Sequence, residues 1–168
     1  MRIGVTSHRP NRLWGYNIFT PPYYKLRGLF KEILLSEQCT DARTGMALGG
    51  DTVFALAVLD LKKQGVNIKL HCDIPCRGHS SKWINSKDVI LYDKILEQAD
   101  EVTLVSDMDY EPRLMQIRNE HIVNSIDKLI CVYDGNNKGG TANCVRYAKG
   151  KGVDLILINP NEIEAVAK

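Results

Sequence analysis

The sequence lacks the features that mark a membrane protein or a secreted, disulfide-rich protein. No apolar run approaches the roughly 20 residues that a membrane-spanning helix needs, and we expect no signal peptide. The five cysteines are an odd number and are scattered, so we expect reduced thiols and no disulfide framework. Met1–Val5 already has the pattern of a core strand. These absences predict a cytoplasmic protein with no membrane partner.

The sequence also lacks a strong net charge. A formal net charge of +2 does not favour bulk nucleic-acid binding, so nucleic acid is not the expected partner. The distribution of charge is uneven, however, because the first acidic residue is Glu32. Before it come only basic charges, on Arg2, Arg9, Arg12, Lys25, Arg27 and Lys31. This segment suits an anionic ligand, and a solvated basic face is the alternative.

Short apolar runs alternate with longer segments of helical period, which predicts an α/β fold built from βαβ units. We expect a single domain over residues 1–168, with a doubly wound, mainly parallel sheet and helices on both faces. The predicted strands are Ile3–Thr6, Val66–Cys72, Val102–Ser106, Leu129–Tyr133 and Leu155–Ile158, with a weaker one near Cys39–Arg43. The predicted helices run from Pro21-Pro22 to about Leu34, and over Thr52–Gln64, Lys87–Gln98, Met115–Ser125 and Thr141–Lys149, with Asp51 as the N-cap of the second.

In such sheets, ligands bind beyond the carboxyl ends of the strands. Two glycine-containing loops are predicted there, each leading into a helix. These are Thr44–Asp51, with Gly45, Gly49 and Gly50, and Lys138–Thr141, with Gly139 and Gly140. Unpaired N–H groups at a helix start favour phosphate, and Asp51 could accept from ribose hydroxyls or serve only its helix. Neither loop has the Walker spacing or the G-x-G-x-x-G fingerprint, so an ordinary turn with a cap stays open for each.

The loop after the first predicted strand carries Thr6, Ser7, His8 and Arg9. Hydroxyls and an arginine at that position favour phosphate, since a guanidinium forms bidentate contacts. A solvated loop with Pro10 fixing its exit is the alternative.

The segment His71–His79 has two cysteines in a Cys-x₃-Cys spacing, but no second ligand pair is visible for a structural zinc site. We therefore predict no metal and no cofactor, and we expect these residues in the core or in a loop. No cysteine is singled out as a nucleophile by a partnered histidine. Trp83, Tyr92 and Trp14 are expected to be packing groups, with Trp14 left open as a base-stacking residue.

Taken together, the motifs resemble a known family. GVTSHRPNRLWGYN, GMALGGD, IPCRGHSSKW, RNEHIV and DG-x₃-GGT, in this order from Gly4 to about Pro160, are similar to the YpsA/YoqJ-like branch of the SLOG superfamily. That superfamily includes the LOG-type phosphoribohydrolases and DprA-like proteins, and this branch occurs in Firmicutes and their phages. The resemblance implies a Rossmann-like domain that binds a phosphorylated nucleoside or an ADP-ribose-like nucleotide, and a homo-oligomer.

Carried onto this chain, the family motifs give a set of ligand-binding positions. They are Ser7, His8, Arg9, Gly45, Gly49, Gly50, Asp51, Arg118, Asn119, Asp134, Lys138, Gly139, Gly140 and Thr141. LOG-type enzymes place a catalytic glutamate three positions after the threonine, where this chain has Cys144. The expected function is therefore sensing or sequestering a nucleotide without catalysis. The alternatives are a nucleotide N-glycosidase using Asp51 or Asp134, and a DNA-processing accessory protein, which the near-neutral charge disfavours.

Overall fold

A computed structural model describes residues 1–167 and contains one six-stranded, fully parallel sheet. The strand order is β4-β3-β2-β1-β5-β6. The strands are β1 Arg2–Ser7, β2 Asp41–Thr44, β3 Lys69–Ile74, β4 Glu101–Leu104, β5 Lys128–Val132 and β6 Asp154–Ile158. The predicted doubly wound, Rossmann-like α/β fold is confirmed.

Six helices connect or follow these strands. They are α1 Pro21–Ser36, α2 Gly50–Lys63, α3 Ser86–Gln98, α4 Arg113–Val123, α5 Gly140–Gly150 and α6 Pro160–Ala167, with a 3₁₀ turn at Pro10–Arg12. The prediction of Asp51 as an N-cap is wrong, because α2 begins at Gly50 and Gly49 occupies the cap with a φ of 89°. Within the described part of the chain, no helix has the length and apolarity to cross a membrane.

The core lies on both faces of the sheet. Residues that alternate along β5 point to opposite faces, as strand geometry requires. Ile130 and Val132 join a large cluster with α1, α2, α3 and α6, and Leu129 and Cys131 join a smaller one with α4 and α5. The smaller cluster holds Cys144, Val145 and Ala148 of α5. Every helix is therefore fixed against the sheet through its own apolar face.

The outer strands differ from expectation. Their apolar sequences predicted cover on both faces, yet Val102 and Leu104 of β4 and Leu157 of β6 are 47%, 46% and 62% exposed. These two strands form the edges of the sheet, and the helices cover the edges less fully than the centre.

The strand order places a switch point between β1 and β5. From β1 the chain builds the sheet outward through β2, β3 and β4, and then returns to pair β5 with the other side of β1. The two neighbours end together, with Ser7 opposite Val132. Loops that leave such a pair diverge to opposite faces and leave a crevice, which is where open α/β sheets bind ligands.

Candidate functional site

A cavity of about 290 Å³ lies at this crevice, and we call it the switch-point cavity. Its walls come from the end of β1 and the loop that follows it, the loop after β2 with the start of α2, the first turn of α5 and one side of α4. It brings together nine of the fourteen predicted residues, namely Ser7, His8, Arg9, Asp51, Arg118, Asn119, Gly139, Gly140 and Thr141. The convergence of four separate sequence segments on one space makes this the candidate ligand site.

Gly45, Gly49 and Gly50 do not line the cavity, because other residues lie against them. A Cβ on Gly45 would lie 2.6 Å from Nε of Arg118, and one on Gly50 would lie 2.5 Å from Cβ of Ser7. Gly49 has Pro10 within 3.4 Å of the same hypothetical position. The glycines of this loop thus permit close packing of protein on protein, and only Ala47 and Asp51 of the segment reach the cavity.

The first turn of α5 is open to the cavity. The first N–H groups of a helix have no intrahelical partner, and the cap residue Gly139 has no side chain to accept them. Gly139 has a φ of 98°, a conformation that glycine adopts without strain. Both Gly140 and Thr141 of this turn line the cavity. The turn therefore offers backbone donors and the positive end of the helix dipole to an anion.

Three arginines line the cavity, and they differ in exposure and in their hydrogen-bond and ion-pair partners. Arg9 is exposed, and no hydrogen bond or ion pair holds its side chain among residues 1–167. Arg12 is paired, with Nη2 3.2 Å from Oδ2 of Asp134. Arg118 is buried, donating through Nη1 to the carbonyl oxygen of Gly45 and through Nε to Oδ1 of Asn119 at 2.8 Å. Arg9 alone is therefore free to pair with an anionic ligand.

Asp51 lies in the wall of the cavity and is almost fully buried. Its Oδ2 accepts the backbone N–H of Ala47 at 3.3 Å. Burial raises the pKa of Asp51, and the nearby positive charge of Arg118 opposes that rise. Burial likewise lowers the pKa of Arg118, against the effect of Asp51. Asp51 and Arg118 therefore each stabilise the charged form of the other within the wall of the site.

Asp134 and Lys138 follow β5 but stay outside the lining of the cavity. The Asp134 carboxylate accepts the backbone N–H of Asn136 at 2.9 Å and contacts Arg12. The hydrogen bond from the Asn136 amide, the contact with His8 and the charge of Arg12 all lower the pKa of Asp134. The exposed Lys138 contributes its backbone oxygen, which lies 3.5 Å from Nη1 of Arg12. Asp134 is therefore engaged in holding its loop.

His8 is the link between β1 and β5. Its backbone N–H donates to the carbonyl oxygen of Val132 at 3.1 Å, and its Nε2 lies 3.2 Å from the backbone nitrogen of Asp134. Nε2 also lies 3.1 Å from Oδ1 of Asp134, so whether this nitrogen donates or accepts depends on the tautomer of the ring. Burial lowers the pKa of His8, and the contact with the Asp134 carboxylate opposes that effect. His8 therefore holds the loop after β1 against the loop after β5.

Five lining residues lie outside the predicted set of ligand-binding positions, namely Thr6, Asn11, Arg12, Ala47 and Met115. Thr6 and Ala47 belong to two of the loops that were predicted to approach a ligand. Arg12 belongs to the basic segment before Glu32, whose charge suits an anionic ligand. Asn11 lies beside Arg12 in the 3₁₀ turn. Met115 carries no such signal. It reaches the cavity because the first turn of α4 passes over the carboxyl edge of the sheet.

Cys144 lies in the core beneath the cavity with 2% exposure and does not line it. Burial raises the pKa of its thiol to about 11. The segment His71–His79 contributes to the core and to a loop, and the described residues include no group of three or more His, Cys, Asp or Glu placed to hold a metal ion.

Comparison with known proteins agrees with this architecture. The YspA SLOG family (YpsA) matches residues 4–163. The chain is 32% identical over 136 residues to the uncharacterized SPbeta prophage-derived protein YoqJ of Bacillus subtilis (strain 168), covering 74% of this chain and 78% of YoqJ. It is 30% identical over 141 residues to a UPF0398 protein of Staphylococcus haemolyticus, covering 82% of this chain and 75% of that protein.

Among solved structures, the fold is similar to that of DNA processing protein A (DprA) from Streptococcus pneumoniae, with a TM-score of 0.64 and 15% identity. The match covers 94% of this chain, which spans 50% of that DprA chain. At this identity the likeness concerns the fold alone. On the family match and the similarity to YoqJ, the chain belongs to the YpsA/YoqJ-like branch of the SLOG superfamily.

Proposed function

We propose that this protein binds a phosphorylated nucleoside or ADP-ribose-like nucleotide in the switch-point cavity and holds it without cleaving it. The observation that carries the proposal is the meeting of two anion-binding features in one space. The uncapped first turn of α5 and the unpaired guanidinium of Arg9 line the same cavity. Backbone N–H groups at a helix start and an arginine are the donors that proteins use for phosphate.

The remaining polar groups of the cavity suit a sugar. Ser7, Asn119 and Thr141 offer donors and acceptors that can satisfy hydroxyl groups. Asp51 adds a carboxylate, and the nearby positive charge of Arg118 compensates its charge when a phosphate enters. A phosphate at α5 and a ribose towards Asp51 would place both parts of a nucleotide on groups of matching chemistry.

Holding is favoured over cleavage by the state of the acidic groups. N-glycosidic cleavage needs a carboxylate or an acid next to the ribose carbon. Cys144 is a buried thiol below the cavity, and Asp134 is paired with Arg12 outside it. Neither residue supplies that group.

The second candidate function is a nucleotide N-glycosidase, and Asp51 is the observation that favours it. It is the carboxylate that lines the cavity, and burial raises its pKa, which suits a general acid. Incubation of the protein with nucleoside monophosphates, followed by chromatography for free base, discriminates between the two functions. Release of free base by the wild type, with no release by Asp51→Asn, would establish the N-glycosidase function. Nucleotide that binds and stays intact would refute it.

The binding proposal is tested by calorimetry with AMP, ADP-ribose, cyclic AMP and unphosphorylated adenosine. We expect micromolar binding of phosphorylated compounds and weaker or no binding of adenosine. Arg9→Ala should weaken AMP binding about tenfold or more, since a hydrogen bond to a charged group is lost, while the thermal midpoint stays unchanged. Lys63→Ala is the matched control, because it removes one exposed positive charge from the opposite end of α2. No binding by any phosphorylated compound refutes the proposal.

The homo-oligomer implied by the resemblance stays a prediction. The apolar face of α1 packs in the chain's own core through Tyr23, Leu26, Phe30 and Leu34. A groove between α1 and β6 includes the half-buried Leu29 and Ile33 and the exposed Leu157. Light scattering coupled to size-exclusion chromatography measures the oligomeric state, and a monomeric mass at all concentrations would remove the prediction.

A further inference from the structure

A second cavity of about 400 Å³ adjoins the switch-point cavity. The two share a wall, because Arg9 and Met115 line both. The rest of the second cavity is formed by the segment after β3, with His79, Lys82 and Trp83, and by Tyr110 in the segment before α4. A molecule held at Arg9 in the first cavity can therefore extend past Met115 into the second.

The switch-point cavity is small, and its lining is largely polar. Its volume of about 290 Å³ is at the lower limit of the roughly 300–1,000 Å³ usual for ligand pockets. Within the described chain, no Phe, Tyr or Trp lines it. It thus provides for a phosphate and a sugar but offers no large aromatic ring to a base.

The second cavity supplies what the first lacks. Trp83 lines it and is held by perpendicular contacts with Tyr92, at 5.1 Å between ring centroids, and with His79, at 5.5 Å. His79 in turn contacts the Tyr92 ring at 5.6 Å, and its Nδ1 lies 3.2 Å from the Tyr92 hydroxyl. Nζ of Lys82 lies 5.2 Å from the centre of the Tyr110 ring. Three mutually packed rings form a preorganised aromatic wall, a setting in which proteins stack nucleobases.

His79 adds a polar group to this wall. Burial, with the positive charges of Arg118 and Arg9, lowers the pKa of His79 to about 3, so the ring is neutral at physiological pH. Its Nε2 has no hydrogen-bond partner among residues 1–167. A neutral imidazole nitrogen can donate or accept one hydrogen bond, according to its tautomer, and the edge of a base offers both kinds of partner.

From this continuity and lining we infer that the second cavity binds the base of the nucleotide, with Trp83 as its stacking surface and His79 as a contact to its edge. The inference rests on the proposed function, since the phosphate and ribose must lie in the switch-point cavity for the base to reach Trp83. Trp83 packs on Tyr92, as expected from the sequence, and it also lines the second cavity.

The test uses AMP and ribose 5-phosphate, which differ by the base. Trp14 and Trp83 are the two tryptophans of the chain, so Trp14→Phe leaves Trp83 as the sole indole fluorophore. In that variant we expect AMP to change the fluorescence of Trp83, and ribose 5-phosphate to bind by calorimetry without changing it. We expect AMP to bind about tenfold or more tightly than ribose 5-phosphate, the contribution of one stacked base.

Trp83→Leu should lower the affinity for AMP most of the way to that for ribose 5-phosphate and leave the latter unchanged. Trp83→Phe should keep most of the difference between the two compounds. Equal affinities of the two compounds in the wild type, or an equal loss for both in Trp83→Leu, would overturn the base site while leaving the phosphate site intact. Failure of both compounds to bind would overturn the proposed function itself. If Trp83→Leu does not fold, the fluorescence of Trp83 in the Trp14→Phe variant tests the base site: a change with AMP supports it, and no change on AMP binding overturns it.

Discussion

Arg118 of α4 donates through Nη1 to the carbonyl oxygen of Gly45, a residue 73 positions earlier in the loop after β2. This bond joins the two faces of the sheet at its carboxyl edge, because α4 covers one face and the loop leads into α2 on the other. The guanidinium fits only because Gly45 has no side chain. The base of the switch-point cavity is thus built on one close approach between an arginine and a glycine.

Gly45→Ala should therefore destabilise the fold and weaken AMP binding together. The added methyl group would displace the buried guanidinium, and overpacking of this kind costs about 1–3 kcal/mol. Chemical denaturation measures the loss. Gly28→Ala in α1 is the matched control, since nothing lies within 4 Å of its hypothetical Cβ, and helix propensity alone should stabilise it by about 0.5–1 kcal/mol. An unchanged midpoint for Gly45→Ala would contradict this account of the site.

The stability of the protein should fall on acidification because of His79. Its pKa is lowered from 6.5 in the unfolded chain to about 3 in the fold, so between those values the unfolded state binds a proton that the folded state does not. His79→Asn should flatten the dependence of the unfolding free energy on pH by about 1.4 kcal/mol per pH unit in that window. Above pH 7.5 the two proteins should have parallel profiles, and parallel profiles at every pH would count against a neutral His79.

The hydrogen bond from the Asn136 amide and, to a smaller extent, the charge of Arg12 hold the pKa of Asp134 below 3.8. A lowered carboxyl pKa stabilises the fold above 3.8, and this stability is lost as the pH falls through the folded value. In Arg12→Ala we expect an NMR titration to show the pKa of Asp134 moving up. The pKa of Asp127, held at about 2 chiefly by Arg2, should stay where it is and serves as the control. Because the pair is partly exposed, the stability change at pH 7 should be below about 1 kcal/mol.

The five cysteines should be unreactive in the folded protein. All are buried, and burial raises the pKa of Cys39 and Cys144 to about 11 and that of Cys72 and Cys131 to about 12. A thiol-specific chromogenic disulfide should modify all five after denaturation and none rapidly before it. One fast-reacting thiol in the native protein would reopen the possibility of cysteine chemistry.

The central strands were predictable because Val- and Ile-rich runs must be buried on both faces. The weaker prediction near Cys39–Arg43 has a structural cause. Its strand, β2 Asp41–Thr44, carries two charged residues whose partners lie on β3. Arg43 pairs with Asp73 at 3.1 Å, and Asp41 lies 3.2 Å from His71. Such lateral pairs break the apolar pattern and can be recognised only after the strands are placed side by side.

The two glycine loops show what composition alone leaves undetermined. Both have glycines between a strand and a helix, and both were expected to approach a ligand. Gly139 and Gly140 line the cavity, whereas Gly45 and Gly50 are covered by Arg118 and Ser7. What lies against a glycine depends on contacts between distant segments, so the same local pattern can serve a ligand site or a packing site.

The most direct test of the proposed phosphate site is a ¹H–¹⁵N NMR titration with AMP. We expect the largest shifts in the backbone amides of Gly139, Gly140 and Thr141 and in Nε–H of Arg9, which line the switch-point cavity. The amides of Gly28 and Gly150, in α1 and at the end of α5, should stay in place. Shifts confined to other regions, or no shifts at millimolar AMP, would contradict the account.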